Sequence, residues 1–286
     1  MVSVVSLNKP PLTEVWISFE FEPPPGGSPW TQERYGLFLK RIEDAYPVTE
    51  QLIQSGLRQE KGSKKVQLVE AVVAVRSFSD TGTRAVQLRP NGMVVNYIRS
   101  DGEKYPGFAS LLDEAIRHQQ AYRECYNPAG VVGAALHYVD VVEIPIPESG
   151  VFQSEEYFTV NLRLPEAFGS VADFHLATVL RVAETDDLVE LVFSSDAHVP
   201  GESIRRFRLE WHMPVKGAGR MDDRQLRDGL ILAHDRLYVC FRSVFTPNGW
   251  ALFEPETTCS SAPPTSIAGS DPITPGTVPP PTSPPA

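Results

Sequence analysis

Two residues of proton-transferring type stand where an apolar side chain would be expected. His234 lies on the apolar stripe of a helical segment, between Leu230 and Leu237. An imidazole there could act as a base or ligand, because it titrates near neutral pH. The simpler structural reading is a core histidine bonded to one backbone or side-chain partner. Asp140 lies in the run Val131–Ile144, on the same side as Leu136, Tyr138, Val142 and Ile144. A carboxyl on a mainly apolar face must find partners or titrate outside its usual range. That describes a catalytic acid, and equally a buried structural hydrogen bond. Together, His234 and Asp140 would make an acid–base couple.

A third candidate is a face rather than a residue. In Ile204–Met213, Phe207, Leu209, Trp211 and Met213 alternate with Arg206, Arg208, Glu210 and His212. If Tyr157, Asn161 and Arg163 of an earlier strand share the polar side, Arg163, Arg206 and Arg208 form a cationic surface. Guanidinium groups suit two-pronged binding of a carboxylate or phosphate. A solvated sheet face with cross-strand ion pairs explains the same pattern without a ligand. His212 belongs to this face and is the third histidine or carboxylate candidate for catalysis. Other signals fall away. Asp222-Asp223 suits the positive end of a helix. Gly217-Ala218-Gly219 lacks the remainder of a phosphate loop. Ser194-Ser195 lacks the G-x-S-x-G elbow. No cofactor fingerprint or metal-ligand spacing is present, so neither a cofactor nor a metal is expected.

The elements that would position these groups follow from periodicity. Val15, Ile17, Phe19 and Phe21 alternate within a strand over residues 14–22. Thr31 can cap a helix running to about Tyr46, with Tyr35, Phe38, Leu39 and Ile42 on one side. A strand over 66–78 turns at Asp80-Thr81-Gly82 into a hairpin, Arg84–Leu88 and Met93–Arg99, joined by a type I turn at Arg89-Pro90-Asn91-Gly92. Phe108, Leu111, Leu112, Ala115, Ile116, Gln119 and Tyr122 mark one face of a helix. Past the long strand Val131–Ile144, Pro145 and Pro147 suggest a domain boundary. Strands over 157–164, 174–183, 188–194 and 204–213 come next, then a helix over 222–245 with the stripe Leu226, Leu230, Ala233, Leu237, Phe241 and Val244. The expectation is an α+β fold of two similar halves, 1–147 and 148–254, each an antiparallel sheet packed on a long helix. A disordered Pro/Thr/Ser-rich tail, 255–286, completes it.

Composition narrows the function classes. The chain has 286 residues, 42% of them apolar, enough for a substantial core. Acidic residues outnumber basic ones 36 to 26, which argues against general nucleic-acid binding. Three scattered cysteines, Cys125, Cys240 and Cys259, form no disulfide framework and fit a reducing compartment. No signal peptide and no apolar run near the roughly 18 residues of a spanning helix is present, so a cytoplasmic location is expected.

Several motifs together resemble a family of bacterial proteins of similar length and sporadic distribution, whose activity is not established. They are Pro10-Pro11-Leu12-Thr13-Glu14-Val15; Val86-Gln87-Leu88 through Tyr105-Pro106-Gly107-Phe108 to Tyr122; Leu136-His137-Tyr138-Val139-Asp140 before Ile144-Pro145; and His234, Phe241 and Trp250. The resemblance covers Pro10 to Phe253 and implies no substrate or cofactor. Asn is commoner than Asp in that family at the position of Asp140, which weakens a catalytic role for the carboxyl. The expected function is a non-catalytic binding or interaction module, an accessory in a defence or toxin–antitoxin setting, taking a protein or a small anionic ligand. The alternative is a hydrolase or nucleotide-processing enzyme using His212 with Arg206 and Arg208, or His234 with Asp140.

Overall fold

Alternating side chains build one sheet with a greasy face and a polar face. The computed structural model describes residues 7–26, 30–59, 66–100, 105–147, 152–160, 173–183, 185–196, 203–215, 217 and 219–255. Its strands are β1 (Leu12–Glu22), β2 (Val48–Gln59), β3 (Val66–Phe78), β4 (Arg84–Arg89), β5 (Gly92–Ile98), β6 (Gly130–Pro145), β7 (His175–Arg181), β8 (Leu188–Ser195) and β9 (Ile204–Val215). They lie in the order β2-β3-β4-β5-β1-β6-β9-β8-β7, with every neighbouring pair antiparallel. On β1, Val15, Ile17, Phe19 and Phe21 are buried while Glu20 is exposed; on β9, Phe207, Leu209, Trp211 and Met213 are buried while Arg206 and Arg208 are exposed.

The greasy face is covered by helices. α1 (Gln32–Ile42) starts at Thr31, whose hydroxyl accepts from the Arg34 N–H. α2 (Phe108–Tyr126) ends at Asn127, which adopts φ 48° and returns its N–H to the Arg123 carbonyl. α3 (Asp223–Val244) starts from a reciprocal capping box between Asp222 and Gln225. A short α4 (Pro247–Ala251) follows. α2 packs on β1 and β5, α3 packs on β6 and β9, and the two helices touch. Leu226, Leu230 and Leu237 of α3 are fully buried, each stabilising the fold by roughly 2 kcal/mol.

Four expectations change. The division near 147 is not where the sheet divides: β6 pairs with β1 on one side and β9 on the other, so one sheet crosses the Pro-marked position and the compact unit extends to Pro255. Pro145 is tolerated because it ends β6. Residues 157–160 are not strand; a short 3₁₀ turn, Ser154–Glu156, delivers Phe158 to a bridge with Phe245. β2 was not foreseen. In the 89–92 turn, Asn91 takes φ 59°, which a type I turn does not allow at that corner. Asn accepts this left-handed conformation better than most residues. The tail, residues 256–286, and Arg163 with Asn161, lie outside the described residues. No helix among the described residues is long and apolar enough to cross a membrane.

Candidate functional site

The antiparallel pairing of β6 with β9 places Tyr138 opposite Trp211 and Asp140 opposite Leu209. α3 crosses beneath them and contributes His234, Leu237, Tyr238 and Phe241. The segment entering β1 closes the remaining side with Leu7, Pro10, Pro11 and Leu12. These residues line a pocket of ≈ 110 Å³. The entering segment is held from both directions. Its Asn8 and Lys9 N–H groups donate to the Glu254 and Phe253 carbonyls at 3.2 and 3.0 Å, and the Pro11 carbonyl accepts from the Val141 N–H at 2.9 Å. Lys9 also pairs with Glu254 at 2.5 Å. The β1–β6 register shifts between Leu12 and Glu14, directly opposite Asp140, a local irregularity of the sort that re-aims side chains beside sites.

Three polar groups meet in this apolar setting. Asp140 is 6% exposed, and burial pushes its carboxyl up to about 7, with the Trp211 indole N–H alone favouring the ionised form. The Tyr138 hydroxyl stands 2.8 Å from His234 Nδ1. Burial lowers the proton affinity of His234, with Asp235 opposing in part. The imidazole is also sandwiched flat on Phe108, with ring centroids 4.1 Å apart and 8° between planes. Burial holds Tyr138 protonated, reinforced by Tyr105 and Asp140 nearby. The site therefore offers a carboxyl that titrates near neutrality, a neutral imidazole engaged on one nitrogen, and aromatic walls. Among the described residues, no Ser, Thr or Cys lines it.

Asp140 and His234, one of the two pairings the sequence offered, both line this cavity. The remaining candidates do not. Arg206, Arg208 and His212 lie on the opposite, solvated face of β9. Arg206 pairs with Glu143 at 2.9 Å, Arg208 with Glu210 at 2.7 Å, and His212 Nδ1 stands 2.9 Å from Glu190. His212 also stacks on His137, centroids 4.1 Å apart, and His137 on Trp16 at 4.6 Å. Arg206–Glu143 and His212–Glu190 are cross-strand pairs and Arg208–Glu210 lies along β9, the pattern of a solvated sheet face, so Arg206 and Arg208 are already matched by carboxylates. Among the described residues, no three His, Cys, Asp or Glu side chains gather as metal ligands.

Sequence reading missed Tyr138 and Trp211 as partners of these groups, because both read as ordinary apolar-face residues. It also missed a second polar constellation under β4. Glu114 of α2 is 9% exposed; it accepts a hydrogen bond from the Tyr46 hydroxyl and faces Arg84 at 3.5 Å and His118 at 3.7 Å. Glu114 and His118 fall between the apolar positions of the α2 stripe, and that adjacency was the available signal. No family model matches the chain, and no curated protein matches it.

Proposed function

We propose that this protein is a non-catalytic binding module whose ligand site is the pocket between β6, β9, α3 and the segment entering β1. The observation that carries this reading is the convergence of Asp140 and His234, with Tyr138 and Trp211, on one apolar cavity. An apolar cavity with a few polar groups at fixed positions is the usual form of a small-molecule site. Its size is comparable to the roughly 150 Å³ cavity known to admit benzene, so the ligand portion held there is about one ring or a short branched chain. The polar face bearing Arg206 and Arg208 is the less favoured place for a ligand, since each guanidinium already holds a carboxylate.

A second reading is favoured by one observation. A carboxyl titrating near neutrality is what a general acid or base requires, so Asp140 with His234 also supports an acid–base enzyme. Against it, among the described residues His234 hydrogen-bonds Tyr138 alone, and none that line the pocket is a Ser, Thr or Cys.

We also take the two halves to be similar in construction. The order β1-β5-β4-β3 followed by α2 has its counterpart in β6-β9-β8-β7 followed by α3. On this view the segment entering the first half covers the polar groups of the second. Two half-buried free cysteines, Cys125 and Cys240, fit the cytoplasmic setting proposed from the sequence.

Fragment screening by ligand-observed NMR tests the binding reading. Single-ring fragments are expected to bind with dissociation constants of about 1 mM, the range that few-atom ligands reach. Leu7→Trp, which fills the cavity from its half-buried rim, is expected to abolish that binding while the circular dichroism spectrum stays unchanged. Fragment binding that survives Leu7→Trp, or no binding by the wild type, would remove the pocket as the site.

A further inference from the structure

The pocket has an incomplete charge pattern. Asp140 contributes a carboxyl to a cavity otherwise walled by Leu, Pro and aromatic side chains. Among the described residues, no Lys, Arg or His forms an ion pair with it, whereas Glu22, Glu143 and Glu210, on the neighbouring strands and on β6 itself, are each paired with an arginine. The groups around Asp140 are all neutral or committed elsewhere. β6 supplies Tyr138, with Tyr105 against it; β9 supplies Leu209 and Trp211; β1 supplies Leu12. α3 supplies His234 and Tyr238, with Asp235 acting on the histidine. On the same helix Arg236 is paired with Asp187, and Lys9 of the entering segment is paired with Glu254. The one indole N–H that favours the carboxylate does not supply a charge.

A desolvated carboxylate without a cation is costly. Four aromatic residues, Tyr138, Trp211, Tyr238 and Phe241, line the same cavity. Aromatic rings carry negative faces and stabilise ammonium groups, most strongly when the cation is desolvated. Among the described residues that line the pocket there is no Lys or Arg, and the Arg99 guanidinium at its edge is engaged by the Pro10 carbonyl, so an anion is not favoured. A neutral alcohol or amide would use the carboxyl only as one more hydrogen-bonding group. We propose that the ligand is a small organic amine bound as its ammonium ion, with the charge on Asp140 and the carbon skeleton against Trp211, Tyr238 and Phe241. This rests on the pocket reading and deepens it by assigning the charge type of the ligand.

The consequence is coupling between binding and pH. Burial keeps the empty-site Asp140 protonated below about 7, and an ammonium ion requires it ionised. Uptake then releases one proton below that point and none well above it.

Isothermal titration of the full chain with benzylammonium, benzyl alcohol and benzoate tests this. Benzylammonium is expected to gain about tenfold in affinity per pH unit on the acid side and to level off on the alkaline side. Benzyl alcohol is expected to bind more weakly, without pH dependence, and benzoate not to bind. In Asp140→Asn the affinity for benzylammonium falls to that of the alcohol and its pH dependence disappears. In Phe241→Leu, which keeps the carboxylate, benzylammonium loses more affinity than the alcohol does. If benzyl alcohol binds the wild type as tightly as benzylammonium at every pH, or if Asp140→Asn binds benzylammonium like the wild type, the amine assignment is overturned and the pocket reading survives. If none of the three probes binds, the pocket reading falls and this one with it.

Discussion

Asp140→Asn is expected to be more stable than the wild type above neutral pH and close to it below about pH 4. The native carboxyl holds its proton up to about 7 because burial opposes its charge, whereas the unfolded chain releases that proton near pH 4. Between those values the native state binds more protons, so the wild type loses stability as pH rises, and the loss is complete above about 7. A shift of about 3 units corresponds to about 4 kcal/mol at 1.36 kcal/mol per unit, an upper bound because a charged Asp140 can draw on water through the open pocket. Asparagine is never charged, so it avoids the whole penalty. A gain of about 2–4 kcal/mol would raise the melting temperature at pH 8 by roughly 5–12 °C for a unit of this size. Urea unfolding at a series of pH values measures it. An Asn variant less stable than the wild type at pH 8 would show that ionised Asp140 has a partner worth more than its burial costs.

A second buried group runs the opposite way and shapes the same experiment. His137, stacked between Trp16 and His212, has its proton affinity lowered to about 3, first by burial and then by His212 and Arg89. The unfolded chain protonates this histidine near pH 6.5, so its contribution is full above that value and declines as pH falls toward 3. Between about pH 4 and 6.5 the wild type therefore carries two opposed slopes. Asp140→Asn leaves the rising slopes of His137 and His234, and stability then rises with pH. His137→Phe removes the larger rising contribution and leaves that of His234, whose proton affinity burial also lowers, so stability shifts toward the carboxyl's fall with pH. His137 is only partly buried, so its slope is the shallower of the two.

The site's two odd residues were visible in the sequence because each breaks an apolar pattern. Their meeting stood there only as one alternative beside His212 with Arg206 and Arg208, since it depends on the β6–β9 register and on the face over which α3 crosses, both fixed by contacts far apart along the chain. The division expected at Pro145 and Pro147 shows the same limit. Proline marks where a strand ends and does not reveal that β6 is already paired on both sides. β2 escaped because Thr49, Glu50, Gln51, Gln54 and Ser55 carry no clean alternation; backbone pairing to β3 at the sheet edge holds it as a strand. Residues 157–160 failed in the other direction. Their strand-like pattern yields to Phe158, which packs among Phe193, Phe207 and Phe245 at centroid distances of 4.9–5.4 Å. The stripe of α2 was read correctly for its apolar members, and it hid Glu114 and His118 because charged residues beside a stripe normally face water.

Those hidden residues carry the second large effect. Glu114→Ala is expected to cost about 2–3 kcal/mol, because it strands the buried Tyr46 hydroxyl and removes the acceptor that faces Arg84 and His118. Arg84 is 44% exposed and can recover water, which keeps the loss below that of a fully sealed pair. Burial by itself would raise the Glu114 carboxyl, but His118, Tyr46 and Arg84 outweigh it and hold the group below its usual value. The native state therefore favours the carboxylate. The contribution is full above the unfolded value near 4.5 and is lost as pH falls through the lower native one, the reverse of Asp140. Glu114→Gln keeps an acceptor for Tyr46 without the charge, so it is expected to lose about half as much and to show no acid-side decline from this site. Tyr46→Phe combined with Glu114→Ala closes a double-mutant cycle, and a coupling of about 1 kcal/mol or more is expected for a direct buried contact. A Glu114→Ala variant within about 0.5 kcal/mol of wild type, the range of ordinary surface changes, would mean that the constellation is solvated and that α1, β1 and β5 hold α2 by apolar packing alone.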